Sequence, residues 1–295
     1  AELLEALEAS TYCTPESIGG FPQAAGLTFT VKTYEMYDAN PEPYPKSTNY
    51  GPKSIQRVTI DNVNGKTFDP TATYAVVTNN FVAGGGDTYY AFAAATNQFD
   101  TGLPLDEVVM EYITQELKGV IGKQYAAPQG RILMNPFKDV KTSAWYGSYV
   151  IDLYNDGIIN GTSATTYAPN DTLTWAAALK LLLVSHGDLK AADATGADWS
   201  KNTIAKAAEL GLVAADLDGA KAISRLEFCQ VAAKLNKLAE SKTESKFTDC
   251  TDGYVMALVD AKVISGMTET TFEPAASLTR AQIAKILYQL TLIEK

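Results

Sequence analysis

Apolar and polar positions change rhythm near residue 136. Before it, short alternating runs mix with helical spacing. Leu3, Leu4 and Leu7 share one face of a helix expected over Glu2 to Ser10. Gly26-Leu27-Thr28-Phe29-Thr30-Val31-Lys32 alternates as a half-buried strand does. Pro41, Pro43 and Pro45 mark a loop that cannot join a central sheet, because proline lacks the N–H that a ladder needs. Ser54 to Ile60 reads as a second strand, and Asn64-Gly65 as a type I′ turn leading to Phe68. Tyr74-Ala75-Val76-Val77-Thr78 reads as a buried strand from its β-branched and aromatic content. Asp106 is the expected N-cap of a helix carrying Val109, Tyr112, Ile113 and Leu117, with Gly119 near its end. Strands mixed with helices in this order predict an α+β domain over residues 1–133, closing at Arg131-Ile132.

Residues 134–136 are a short linker, and from Phe137 the signal is almost wholly helical and repeats. Tyr149-Val150-Ile151-Asp152-Leu153 aligns with Tyr254-Val255-Met256-Ala257-Leu258, and the register holds without a gap to Thr174 on Thr279. Within it Gly157-Ile158-Ile159-Asn160-Gly161 falls on Lys262-Val263-Ile264-Ser265-Gly266, and Tyr167-Ala168-Pro169 on Phe272-Glu273-Pro274. A shortened copy lies between them, from Ala208-Glu209-Leu210-Gly211 to Ile223-Ser224-Arg225-Leu226-Glu227. Each copy is helix, glycine-containing turn, loop, then a Thr or Ser able to cap a second apolar-faced helix. One helix pair cannot bury its own stripe, so the copies, over 137–187, 193–238 and 247–293, should share a core.

Candidate chemistry begins at Asn79-Asn80-Phe81-Val82-Ala83-Gly84-Gly85-Gly86-Asp87-Thr88-Tyr89-Tyr90. Consecutive glycines suit backbone that turns tightly or approaches another group closely. A flat ring and a carboxylate around such a turn suit a planar base with vicinal hydroxyls; a hairpin loop with a core phenylalanine is the structural alternative. The segment resembles the signature of the 5′-nucleotidase C-terminal domain. Gly20-Phe21-Pro22-Gln23-Ala24-Ala25-Gly26-Leu27 resembles that family's aromatic turn, and Tyr125-Ala126-Ala127-Pro128-Gln129-Gly130-Arg131-Ile132 its closing segment. The resemblance implies that Phe21 and Phe81 sandwich a nucleobase and that Asp87 holds ribose hydroxyls. Core packing for the two rings, and an Asx-type turn for Asp87, are the alternatives. Thr88 stands where the family usually has glycine.

The copies after residue 136 resemble S-layer homology (SLH) repeats. Phe137-Lys138-Asp139-Val140 and Phe247-Thr248-Asp249 match the family's opening, and Thr279-Arg280-Ala281-Gln282 and Ser224-Arg225-Leu226-Glu227 its helix-opening motif. The first copy reads Thr174-Trp175-Ala176-Ala177, with tryptophan for arginine. The resemblance implies an all-α, pseudo-threefold bundle of three repeats whose grooves bind secondary cell-wall polysaccharide, commonly pyruvylated. Arg225 and Arg280 lie in first helical turns, where the helix dipole disfavours cations; an anion beside the helix N-terminus would explain them. Their alternative is an exposed ion pair of little worth. Trp175 could stack on a sugar ring.

The remaining composition narrows the function. Hydrophobic residues make up 46% of the 295 and charged residues 20%, as in a globular chain. A formal net charge of −10 argues against non-specific nucleic-acid binding, and no apolar run reaches the length of a membrane span. Cys13, Cys229 and Cys250 are too few and scattered for a disulfide framework or a zinc site. His186 is the one histidine, read as a helix-end residue, so neither a catalytic triad nor a metal-ligand cluster is expected. The chain reads as the mature C-terminal part of an extracellular, wall-anchored 5′-nucleotidase. Its phosphate ester hydrolysis would depend on a separate N-terminal metallophosphoesterase domain holding divalent metal ions, and this part alone would be inactive. A non-catalytic S-layer or envelope protein, or a carbohydrate-binding adhesin, are the other function classes.

Overall fold

Helix α1, Glu2–Ser10, organises the first part of the chain by packing on two sides. Leu7, flanked by Leu3 and Leu4, meets Phe29, Val31, Val58 and Ile60 of the sheet. The opposite, small-residue side puts Ala6 and Ala9 against Tyr89, Tyr90 and Ala91, just after the glycine-rich loop. That sheet contains β1 (Leu27–Lys32), β2 (Val58–Val63), β3 (Lys66–Thr67) and β4 (Ile132–Asn135) in the order β3-β2-β1-β4. β1 runs antiparallel to β2 and parallel to β4. The β2–β3 turn has Asn64 at φ 49° and Gly65 at φ 74°, the pair of left-handed residues that a type I′ turn requires.

β2 begins later than the alternation suggests, and the buried Glu8 gives the reason. Its carboxylate accepts the N–H groups of Gln56 (3.2 Å), Arg57 (3.0 Å) and Val58 (2.8 Å), which occupies backbone donors that a strand would use. The buried Arg57 guanidinium donates to the carbonyls of Thr11, Thr14 and Glu35. An acid and a base are thus buried with their hydrogen-bonding capacity used, which makes their desolvation tolerable.

This computed structural model describes residues 1–44, 47–122, 125 and 129–293. Pro45 and the Ala126-Ala127-Pro128 part of the closing segment lie outside the described residues. The chain divides into two units, Ala1–Pro136 and Phe137–Lys295. The first is α+β, a mixed sheet with helices. Its expected strand over Tyr74 to Thr78 does not form: the segment has no regular structure, and Val77 is 97% exposed. β-propensity reports fit to a half-buried pleated surface, and no described strand lies beside this run to supply one. Helix α2 (Asn80–Ala83) follows, then a 3₁₀ turn at Tyr90–Ala94. Helix α3 (Leu105–Glu111) continues into a π-turn at Tyr112–Glu116. The α3 N-cap is Pro104, not Asp106; Asp106 stands in the first turn, where its charge complements the dipole.

The second unit contains α4 (Gly147–Asn155), α5 (Trp175–His186), α6 (Trp199–Glu209), α7 (Arg225–Leu235), α8 (Gly253–Asp260) and α9 (Arg280–Thr291). Thr174, Ser224 and Thr279 cap α5, α7 and α9; the last two form full capping boxes with Glu227 and Gln282. The three cap segments close a ring. Trp175 N–H donates to the Lys221 carbonyl (2.8 Å), Arg225 to Ala276 (2.8 Å) and Arg280 to Asp171 (2.9 Å). The next N–H groups follow suit, Ala176 to Gly219, Leu226 to Pro274 and Ala281 to Pro169, each at 3.0 Å. Donors that helix starts ordinarily leave unpaired are thereby satisfied between neighbouring segments.

Candidate functional site

In the first unit the glycine-rich loop and the aromatic turn meet. Asn79 caps α2 by accepting the Val82 N–H at 2.8 Å, and Gly86 N–H returns to the Phe81 carbonyl at 2.8 Å. The Phe81 ring therefore lies flat against Gly86: a Cβ there would stand 2.5 Å from the ring. Asp87 takes the left-handed conformation at φ 51°, and its side chain lies against Gly20, one residue before Phe21. Tyr89 Oη–H donates to the Gly20 carbonyl at 2.8 Å, and the Asn49 amide to the Asp87 carbonyl at 2.8 Å. Phe81 is 57% exposed, Asp87 exposed and Phe21 half-buried. Phe81 thus lies on Gly86, and the next residue, Asp87, lies on Gly20, the residue before Phe21. Thr88 is buried, and its hydroxyl has no partner.

In the second unit each arginine reaches from its own helix start into the turn of another copy. Arg280 donates from Nε to the Tyr167 carbonyl (2.7 Å) and from Nη2 to the Asn160 carbonyl (2.8 Å). Its guanidinium lies 4.5 Å over the Tyr167 ring. Arg225 repeats this on the equivalent residues: Nη2 to Ser265 at 2.8 Å, and 4.7 Å over Phe272. Asp139 fixes the first of these turns by accepting the N–H groups of Tyr167 (2.8 Å) and Ala168 (2.7 Å). Asp249 does the same for Phe272 and Glu273, both at 2.8 Å, and these backbone bonds hold its pKa below the usual carboxylate value. Among the described residues neither arginine forms an ion pair, so the exposed-pair alternative fails.

The surroundings of the two arginines differ. Arg280 is half-buried and lines a cleft of about 150 Å³ together with Asn160, Gly161, Leu181, Lys180 and Trp199. The Lys180 ammonium stands 5.3 Å over the Trp199 ring, and burial lowers its pKa. Arg225 is only 7% exposed; its Nε is buried without a partner, and burial lowers its pKa. Trp175 is half-buried at the start of α5. One sequence-level expectation is corrected: the helix starts offer an anion no free first-turn donors, because the ring of segments and the caps occupy them. An anion in the cleft would meet side-chain cations. Lys180 and Trp199 carry no motif; only the fold brings them to Arg280. His186 ends α5, its Nδ1 2.6 Å from the Asp188 carboxylate.

Comparison with known proteins accords with this division. The family described as 5′-nucleotidase, C-terminal domain, matches residues 1–94, and the S-layer homology domain matches residues 136–178 and 248–284. An endoglucanase of Bacillus sp. (strain KSM-635) is 29% identical over 179 residues, 52% of this chain and 18% of its own length. The trifunctional nucleotide phosphoesterase protein YfkN of Bacillus subtilis (strain 168) is 32% identical over 133 residues, covering 44% and 8%. The surface-layer 125 kDa protein of Lysinibacillus sphaericus is 40% identical over 84 residues, covering 26% and 7%. The chain therefore spans less than a fifth of each of these relatives. Among the described residues no helix is long and apolar enough to cross a membrane. The chain joins a 5′-nucleotidase C-terminal domain to S-layer homology domains, and it is extracellular and associated with the cell wall or S-layer.

Proposed function

We propose that this chain supplies substrate recognition and wall anchoring to a cell-surface 5′-nucleotidase. In this reading Phe21 and Phe81 stack on a nucleobase and Asp87 accepts hydrogen bonds from ribose hydroxyls. The supporting observation is that the exposed Phe81 lies on Gly86 while Asp87 lies on Gly20, next to Phe21 in the chain. Stacking on a planar ligand would cover an exposed ring that otherwise faces water. Hydrolysis belongs to a metallophosphoesterase domain of the whole protein. The side chains here do not fit a dinuclear metal centre: the chain has one histidine, and among the described residues no three His, Cys, Asp or Glu converge.

The second unit is read as three SLH repeats, 137–187, 193–238 and 247–293, arranged with pseudo-threefold symmetry. The ring of cap segments supports this, because three equivalent pairs of backbone hydrogen bonds close it. The repeats bind a secondary cell-wall polysaccharide carrying carboxylates such as pyruvyl groups. Arg280 and Lys180 provide the charge and Trp199 a sugar-stacking face; Arg225 and Trp175 contribute less, Arg225 because it is nearly buried. The single observation that carries the anchor is the cleft that gathers two cations and an indole from separate elements. Calorimetric titration tests both halves. Adenosine should bind wild type and lose affinity with Phe81→Ala, while isolated wall polymer should lose affinity with Arg280→Ala and not with Phe81→Ala. Unchanged polymer binding by Arg280→Ala would overturn the anchor, and unchanged adenosine binding by a Phe21/Phe81 double alanine variant would overturn the pocket.

A further inference from the structure

Cys229 and Cys250 lie 21 positions apart in sequence yet occupy facing elements. Cys229 is on the second turn of α7 and Cys250 just before α8, and these two helices pack together. Gln230, one residue on, donates to the carboxylate of Asp252, two residues on, at 2.7 Å. Ser245 Oγ–H donates to the Cys250 carbonyl at 2.6 Å and fixes its backbone. Both thiols are buried and free. Burial chiefly pushes the Cys229 thiol up to about 12; Arg225 opposes this and the charge of Cys250 adds to it.

The internal repeat makes the pair informative. Asp249-Cys250 matches Asp139-Val140, and Cys229 stands five residues after its cap Ser224, as Ala284 does after Thr279. Val140 and Ala284 are buried apolar residues, so both cysteines occupy core positions that need no sulfur. Only three cysteines occur in 295 residues, and two sit at one interface between copies. Outside the cell, such thiols meet an oxidising environment.

We propose that Cys229 and Cys250 form a disulfide that clips α7 to the segment opening the third copy. A thiol buried and unionised at neutral pH is a poor nucleophile, so the bond forms during folding, before the interface closes. The oxidant is a low-molecular-weight disulfide. One cysteine thiolate attacks it, breaking its S–S bond and releasing one small thiol, and a mixed disulfide results. The second cysteine thiolate then displaces the other small thiol. The two protons lost by the protein thiols are taken up by the two small thiolates released, and the two electrons of the protein thiols reduce the small disulfide.

The test is to refold the full chain with an oxidised small disulfide and titrate free thiols after denaturation. One thiol per chain is expected, that of Cys13, with a non-reduced peptide map joining the Cys229 and Cys250 peptides. Adding reductant should lower Tm by roughly 6–12 °C, from closing a loop of about 20 residues in a unit of this size. Cys229→Ala/Cys250→Val, which carries the residues of the corresponding positions, should melt identically with and without reductant. Three free thiols after oxidative refolding, or a bridge to Cys13, would overturn the proposal.

Discussion

At the scale of single residues, exposure separates side chains of the same type. Arg280 borders a cleft, whereas Arg225 is 7% exposed with an unpartnered Nε, so substitutions at the two should not be equivalent. Arg280→Ala should weaken polymer binding by roughly ten- to a hundredfold, the worth of a charge-assisted hydrogen bond, and Arg225→Ala by less. Equal losses in calorimetry would contradict this. Phe81→Ala should lose about 1–3 kcal/mol of nucleoside affinity, the usual value of base–aromatic stacking. Gly86→Ala should lose a similar amount through displacement of the same ring, while leaving Tm nearly unchanged. Asp152 on α4 offers a pH test, since burial first and Asp156 second push its carboxyl up to about 6. A carboxyl that binds its proton more tightly when folded makes stability fall as pH rises from about 4 to about 6, and the loss persists above. Asp152→Asn should therefore stabilise the second unit at pH 7, by about 1 kcal/mol once solvent screening is allowed for. It should do little near pH 3; equal Tm shifts at both pH values would rule out this cause.

At the scale of elements, legibility followed the range of the forces involved. α1, β1, the Asn64-Gly65 turn and the caps at Thr174, Ser224 and Thr279 depend on neighbours within a few residues, and the sequence alone reveals them. The start of β2 was not legible, because Glu8 takes its backbone donors from across the fold. Tyr74 to Thr78 has strand composition without a described neighbour to pair with. The arginines could be read as positions of interest from a repeated motif. Their partners Tyr167, Asn160, Phe272 and Ser265 could not, since each belongs to a different copy. The caps make a graded prediction. Thr279 accepts the Gln282 N–H at 3.3 Å within a reciprocal box, whereas Thr174 accepts Ala177 at 3.4 Å without one. Thr279→Ala should cost about 1 kcal/mol and Thr174→Ala less, as measured by denaturant unfolding. The reverse order would show that the ring of segments, rather than the box, holds these helix starts.

At the scale of the whole molecule, the electrostatics set a constraint on the anchor. A chain of net charge −10 is repelled at long range by an anionic polymer, so attachment has to come from cations held together locally. In the proposed anchor this falls to Arg280 and Lys180, which line one cleft. The proposed nucleoside site and the proposed anchor belong to different units, so on this reading one should be lost without the other. The measurement that tests this account most directly is co-sedimentation of the full chain with isolated cell walls, before and after mild acid stripping of the secondary polymer. Wild type should pellet with intact walls and stay in solution with stripped ones, and an Arg280→Ala/Lys180→Ala variant should stay in solution with both. Equal pelleting with intact and stripped walls, or full pelleting of the double variant, would contradict it.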